Sequence, residues 1–130
     1  MSTEYSAMSG RVRTFKELLV WQKSLALANR IYSLTKGMPP EERYGLASQM
    51  QRAAVSIPSN IAEGWMRKSS NSFLYSLRIA LGSNGELETQ IEIAWQERYL
   101  SDVEYQETIQ RIEEVRKMLY GMVSSLNADR

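Results

Sequence analysis

The sequence predicts an all-α fold, an antiparallel up-down-up-down four-helix bundle with a proline kink in helix two. Three observations carry this expectation. Apolar residues recur at spacings of three and four through four separate segments. Cap-forming or helix-stopping residues stand between those segments. The connectors are short, which places helices adjacent in sequence side by side and antiparallel.

A polar lead, residues 1–13, shows no periodicity and is expected to be flexible, with the bundle covering 14–127. Thr14-Phe15-Lys16-Glu17 has the form of a capping box, in which the Thr hydroxyl and the Glu carboxylate each accept from an otherwise unpaired N–H. The first helix then runs to about Lys36, with one continuous apolar seam of Leu18, Trp21, Leu25, Ala28 and Tyr32 and a second of Val20, Leu27, Ile31 and Leu34. Gly37 stops it, Pro39-Pro40 cannot continue it, and Glu41 and Glu42 suit the positive start of a second helix.

The second helix reaches Gly64 or just past it. Pro58 lacks the N–H that would bond the Ala54 carbonyl, so a kink or a break is required. The stripe Ala47, Met50, Ala54, Ile57 and Ile61 keeps helical phase through the proline, which favours a kink. Met66 to Asn71 is polar and rich in cap formers, and reads as the connection to a third helix over about 71–98. The seam there is Leu74, Leu77, Leu81, Leu87, Ile91 and Ala94, with Gly82-Ser83-Asn84-Gly85 in the middle. These are poor helix formers whose small size suggests close approach by a neighbouring backbone. Ser101 or Asp102 caps the fourth helix, whose Tyr105, Ile109, Ile112, Leu119, Val123 and Leu126 follow heptad spacing with Arg116 interrupting. The surplus apolar residues of helix one, with Val115, Met118 and Met122, point to self-association.

Composition narrows the function classes. The 130 residues, 43% of them hydrophobic, suffice for one core. No cysteine is present, so disulfides and thiolate chemistry are ruled out, and a cytoplasmic setting is expected. The first residues lack the apolar stretch of a signal peptide, and no apolar run approaches the roughly 18–20 residues that cross a bilayer, so no membrane role is expected. Histidine is also absent, which removes the commonest general base, metal ligand and haem ligand. Glu86, Glu88, Glu92, Glu113 and Glu114 therefore cannot form the Glu-x-x-His pairs of a di-iron bundle. Gly82-Ser83-Asn84-Gly85 has neither the strand context nor the lysine of a phosphate loop. No catalytic residue, metal or cofactor is expected, and the chain reads as a non-enzyme.

The most informative pattern is Gln49, Arg52, Ser56, Asn60, Glu63 and Arg67, polar residues three or four apart that share one face of helix two. Antiparallel pairing should bring Arg52 toward Glu86, Ser56 and Asn60 toward Ser83 and Asn84, and Gln49 toward Gln90. Gln49, Arg52, Ser56, Asn60, Glu63, Ser83 and Glu86 are accordingly expected to form mainly a buried hydrogen-bonded network that fixes register, so that loss of Arg52 would destabilise the bundle; a ligand site and a solvated face are the alternatives.

The same residues carry a family resemblance. Gln49, Arg52-Ala53-Ala54 and the run Ser56-Ile57-Pro58-Ser59-Asn60-Ile61-Ala62-Glu63-Gly64, followed by Ile79-Ala80, Gly82-Ser83 and Glu86-Leu87-Glu88, closely resemble the four-helix-bundle proteins encoded in intervening sequences of bacterial 23S ribosomal RNA genes. Phe15, Leu18, Val20 and Trp21-Gln22 match the opening pattern of that family, and the resemblance spans about residues 15–126. Ser72 departs from it where an acidic residue usually precedes Phe73, and Asn84-Gly85 replaces better helix formers. The resemblance implies a homo-oligomer, a ring of five, related to the accessory protein of diversity-generating retroelements, which binds nucleic acid and a reverse transcriptase.

Two functions fit. In one, Arg11, Arg13, Lys16, Lys23, Arg67 and Lys68, repeated around the oligomer, contact the phosphates of RNA or DNA, although the average charge is only +1. In the other, the oligomer is a scaffold that docks a protein such as a polymerase through Trp65, Trp95 and Tyr99.

Overall fold

A computed structural model describes residues 10–128. Within them the chain forms α1 (Leu19–Lys36), α2 (Leu46–Met66), α3 (Ser70–Gln96) and α4 (Asp102–Ala128). Each helix packs on its sequence neighbour and α1 closes the ring against α4, the up-down-up-down arrangement. The most extensive contact joins α2 to α3. Most of the lead, residues 1–9, lies outside the described residues.

Local chemistry sets the ends. Thr14 and Glu17 form the expected capping box, but on a short 3-10 turn, Phe15–Glu17; Leu18 is extended before α1 begins. Pro40 opens a second 3-10 turn, Pro40–Glu42, and Glu42 accepts from the Leu46 N–H at 3.2 Å, capping α2. Ser69 caps α3. Before α4, the Ser101 hydroxyl accepts from the Glu104 N–H at 3.1 Å and Glu104 accepts from the Ser101 N–H at 2.9 Å, a second capping box. Pro58 lies buried in α2, which continues through it without breaking.

The core is built on Ile31, Met50, Ile57, Ile61, Phe73, Leu77, Leu87, Ile91 and Ile112, all fully buried. Each such side chain contributes about 1.5–3 kcal/mol by leaving water. On α1 both seams feed the core unequally: Val20, Leu27, Ile31 and Leu34 are all buried, whereas the other seam buries Leu18 and Ala28 but exposes Leu25 and Tyr32. Both seams have helical spacing, and only the direction of the neighbouring helices decides between them. Val115 is buried rather than surplus, while Met118 and Met122 are partly buried.

Gly82 and Gly85 also differ from expectation. A β-carbon at either would meet nothing within 4 Å, so no backbone approaches there; the close approach is at Gly64 instead. Asn84, between the two glycines, is fully buried, and its Nδ2 donates to the Ile112 carbonyl of α4 at 3.0 Å. Arg116, the interruption in the α4 seam, reaches back to Glu88 and to the Asn84 Oδ1.

Candidate nucleic-acid interface

The antiparallel arrangement gathers the start of α1, the end of α2 and the start of α3 at one end of the bundle. The Phe15–Glu17 turn packs against both α1 and α2 there, held partly by the Gln22 amide donating to the Lys16 carbonyl at 2.8 Å. Arg11, Arg13, Lys16, Arg67 and Lys68 are all exposed at this end. Glu17 and Glu63 are the acidic residues nearest to them in sequence. Glu17 is committed to its cap and accepts from the Arg13 N–H at 2.7 Å, and Glu63 pairs with Arg67 at 3.0 Å. The opposite end carries Glu41, Glu42, Glu97, Asp102 and Glu104 against Lys36, Arg43 and Arg98, so a nearly neutral chain is electrically polar along its axis.

Lys23 stands apart from this group, further along α1, where it pairs with Glu114 of α4 at 3.3 Å. Both the Lys23 and the Arg67 pair are exposed, and such pairs are worth at most about 1 kcal/mol. A phosphate can therefore compete for either cation. Lys68 closes α2 in the left-handed region, φ 54°, with its N–H donating to the Trp65 carbonyl at 3.1 Å. A glycine would take that backbone without steric cost. The lysine keeps a positive charge beside the carbonyl end of the helix and holds it in water.

Beside these cations sequence reasoning missed Tyr75, which is 68% exposed. It shares a shallow groove of about 340 Å³ with Glu63, Arg67 and Ser76. An exposed ring next to a guanidinium can stack a base while the guanidinium holds a phosphate. The one available signal was its place one turn after the α3 cap, on the side opposite Phe73 and Leu77.

The polar stripe of α2 divides. Ser56 and Ser83 share a hydrogen bond at 2.8 Å, and the Asn60 amide donates to the Ser56 carbonyl and hydroxyl at 2.8 and 3.0 Å. Gln49, Arg52, Glu63 and Glu86 are exposed. Arg52 and Glu86 line one open groove of about 400 Å³ together with Gln49 and Gln90, but no ion pair joins them among the described residues. Asn84 points to α4 rather than to Ser56 and Asn60. In the same groove the Oε1 of Gln90 is buried with no hydrogen-bond partner among the described residues.

The aromatic anchors named for a scaffold are consumed internally. Trp65 is buried edge-on against Phe73. Trp95 stacks on Tyr105 with centroids 4.1 Å apart and donates to Asp102 at 2.9 Å. The Tyr99 hydroxyl donates to Glu42 at 3.0 Å. Among the described residues the rings that face solvent are Tyr32, Tyr44, Tyr75 and Tyr120. Among the described residues no group of three or more acidic side chains could hold a metal ion, and no helix is long and apolar enough to cross a membrane.

The sequence profile of the 23S rRNA-intervening sequence proteins matches residues 16–121. The chain belongs to that family. A crystal structure of a protein of unknown function from the S23 ribosomal protein family of Bacteroides thetaiotaomicron is similar to it, with 28% identity and a TM-score of 0.76. The alignment covers 81% of this chain and 98% of that one. No curated protein matches the chain. In this member of the intervening-sequence family the Ser-Ile-Pro-x-Asn-Ile-Ala-Glu-Gly run thus has a structural use: Ser56 bonds across to Ser83 of α3, Asn60 donates to the same Ser56 hydroxyl from within α2, and Gly64 permits close contact with Ser76 and Phe73.

Proposed function

We propose that this chain acts by binding rather than by catalysis, as a cytoplasmic homo-oligomer that contacts RNA or DNA phosphates through the basic end of its bundle. The observation that carries the reading is the exposure of Arg11, Arg13, Lys16, Arg67 and Lys68 at one end of the bundle, where Arg67 shares a groove with the exposed ring of Tyr75. Symmetry multiplies it, because a ring of five, as the family resemblance implies, would set five such ends side by side.

The test is light scattering for mass, followed by a salt titration of binding to a mixed RNA and DNA pool. Affinity should fall steeply with salt, by a log–log slope of about 0.7 per phosphate contact on single strands. Arg67→Ala with Lys68→Gly should reduce both affinity and slope without loss of fold, because the glycine suits the left-handed position. Binding that is absent at low salt, or unaffected by this pair of changes, sinks the reading.

A second reading has its own observation. Leu19 and Met66 are exposed near the same end, and Leu18, Leu19, Val20, Met118 and Met122 border an apolar groove of about 430 Å³ between α1 and α4. A protein partner such as a polymerase, or the reverse transcriptase suggested by the likeness to retroelement accessory proteins, would dock there in a salt-insensitive way.

A further inference from the structure

A further open cavity lies at the acidic end, where the last turns of α1 and the first turns of α2 flank the connection between them. Its volume is about 660 Å³, and Tyr32, Lys36, Arg43, Tyr44 and Gln51 line it. Tyr44 is 89% exposed, the most exposed large apolar side chain among the described residues. The Arg43 guanidinium sits 5.8 Å from the centre of its ring, and the rest of the ring is open to water. Tyr32, one turn before the end of α1, is also exposed on the same cavity.

The charges here are arranged unevenly. Lys36 and Arg43 face the cavity, and neither has a carboxylate within ion-pairing distance among the described residues. The carboxylate of Glu42, next to Arg43, is occupied on both oxygens: Oε1 by the Leu46 N–H and Oε2 by the Tyr99 hydroxyl. Gln51 is held by its Nε2, which donates to the Thr35 hydroxyl at 2.9 Å, and this leaves its Oε1 as an acceptor on the cavity wall.

Open aromatic faces, two cations without carboxylate partners and a fixed amide acceptor form a complementary set for one ligand chemistry. We propose that this cavity binds an unpaired nucleotide, with the base stacked on Tyr44 or Tyr32, the phosphate held by Lys36 and Arg43, and the Gln51 Oε1 accepting from a base amine. Every base has a π-face that a tyrosine can stack, and a guanidinium pairs with phosphate through directional hydrogen bonds. The site is distinct from the basic end in position and in residues. Its nucleotide can come free in solution or as the end or loop of a strand.

The experiment is an NMR titration of the full chain with its tyrosine rings isotopically labelled. Adenosine 5′-monophosphate, adenosine, inorganic phosphate, a single-stranded RNA hexamer and hexaglutamate are added separately. The monophosphate should saturate, with ring shifts at Tyr44 and Tyr32, and should bind at least about tenfold more tightly than adenosine or phosphate alone. Lys36→Ala with Arg43→Ala, and separately Tyr44→Ala, should each weaken it about tenfold, whereas Tyr44→Phe should retain it. Tyr44 is too exposed for its loss to threaten the fold. Saturation by the monophosphate at least as tight as by the hexamer supports the site and identifies a free nucleotide; tighter hexamer binding that the same variants abolish supports it and identifies a strand. Binding here should survive Arg67→Ala with Lys68→Gly, so this site and the basic end can fail independently. No saturable shift, phosphate binding as well as the nucleotide, shifts at Tyr75 instead, or a preference for hexaglutamate would each overturn the proposal.

Discussion

Gly64 on α2 faces Ser76 on α3 so closely that a β-carbon on Gly64 would lie 2.6 Å from the Ser76 β-carbon. Neither atom has freedom to retreat, because both would be fixed to helix backbones, and Phe73 closes the same space at 3.1 Å. Gly64→Ala should therefore push α2 from α3 and cost about 1–3 kcal/mol, the usual range for an overpacked interface. Thermal melting followed by circular dichroism checks this. An unchanged midpoint would mean that the two helices are further apart than described.

Gly82 and Gly85 should respond in the opposite direction. Both lie inside α3 and face open space, so each costs helix propensity and gains no packing. Gly82→Ala and Gly85→Ala should each stabilise the chain by about 1 kcal/mol, and the two together should be nearly additive. Denaturant titration of the single and double variants measures this. A loss of stability in either would show that a partner, rather than solvent, faces that side of α3.

These contrasts show what the sequence could reveal and what it could not. Helix ends were legible because caps are local: Thr14 to Glu17 and Ser101 to Glu104 each contain the complete hydrogen-bonding set within four residues. Continuity through Pro58 was legible from apolar phase. The choice between the two seams of α1 was not, since spacing defines a face but not the direction of its neighbours. The same holds for the stripe on α2. Spacing placed Arg52 and Ser56 on one face, but a helical face is broad enough for Ser56 to meet Ser83 while Arg52 stays in water.

That division gives a paired prediction. Arg52 has no partner among the described residues and is exposed, so Arg52→Ala should change stability by no more than about 0.5 kcal/mol. Asn84 is fully buried, bonds the Ile112 carbonyl and receives Arg116. Asn84→Ala should cost about 1–3 kcal/mol, through the lost amide bond and the space it leaves. Equilibrium unfolding of the two variants side by side decides the matter. A larger loss from Arg52→Ala than from Asn84→Ala would put the register-fixing contacts on the other side of the bundle.

The acidic end makes the fold sensitive to alkali. Tyr99 donates its hydroxyl proton to Glu42 and Tyr105 donates its proton to Glu92, and these hydrogen bonds, helped by desolvation and by nearby carboxylates, hold both phenols above the ordinary value of 10.0. A phenolate could no longer donate and would oppose the carboxylate it now bonds. A group whose folded-state pKa is raised stabilises the fold fully below its unfolded pKa, and that contribution disappears as pH rises through the folded value. The native chain should therefore lose stability progressively above about pH 10, and Tyr99→Phe with Tyr105→Phe should start less stable but decline less steeply over the same window. Urea midpoints measured at intervals from pH 8 to pH 11 compare the two slopes directly. Parallel slopes would mean that neither phenol holds its proton for the carboxylate, and that the join between the α1–α2 turn and the end of α3 depends on packing alone.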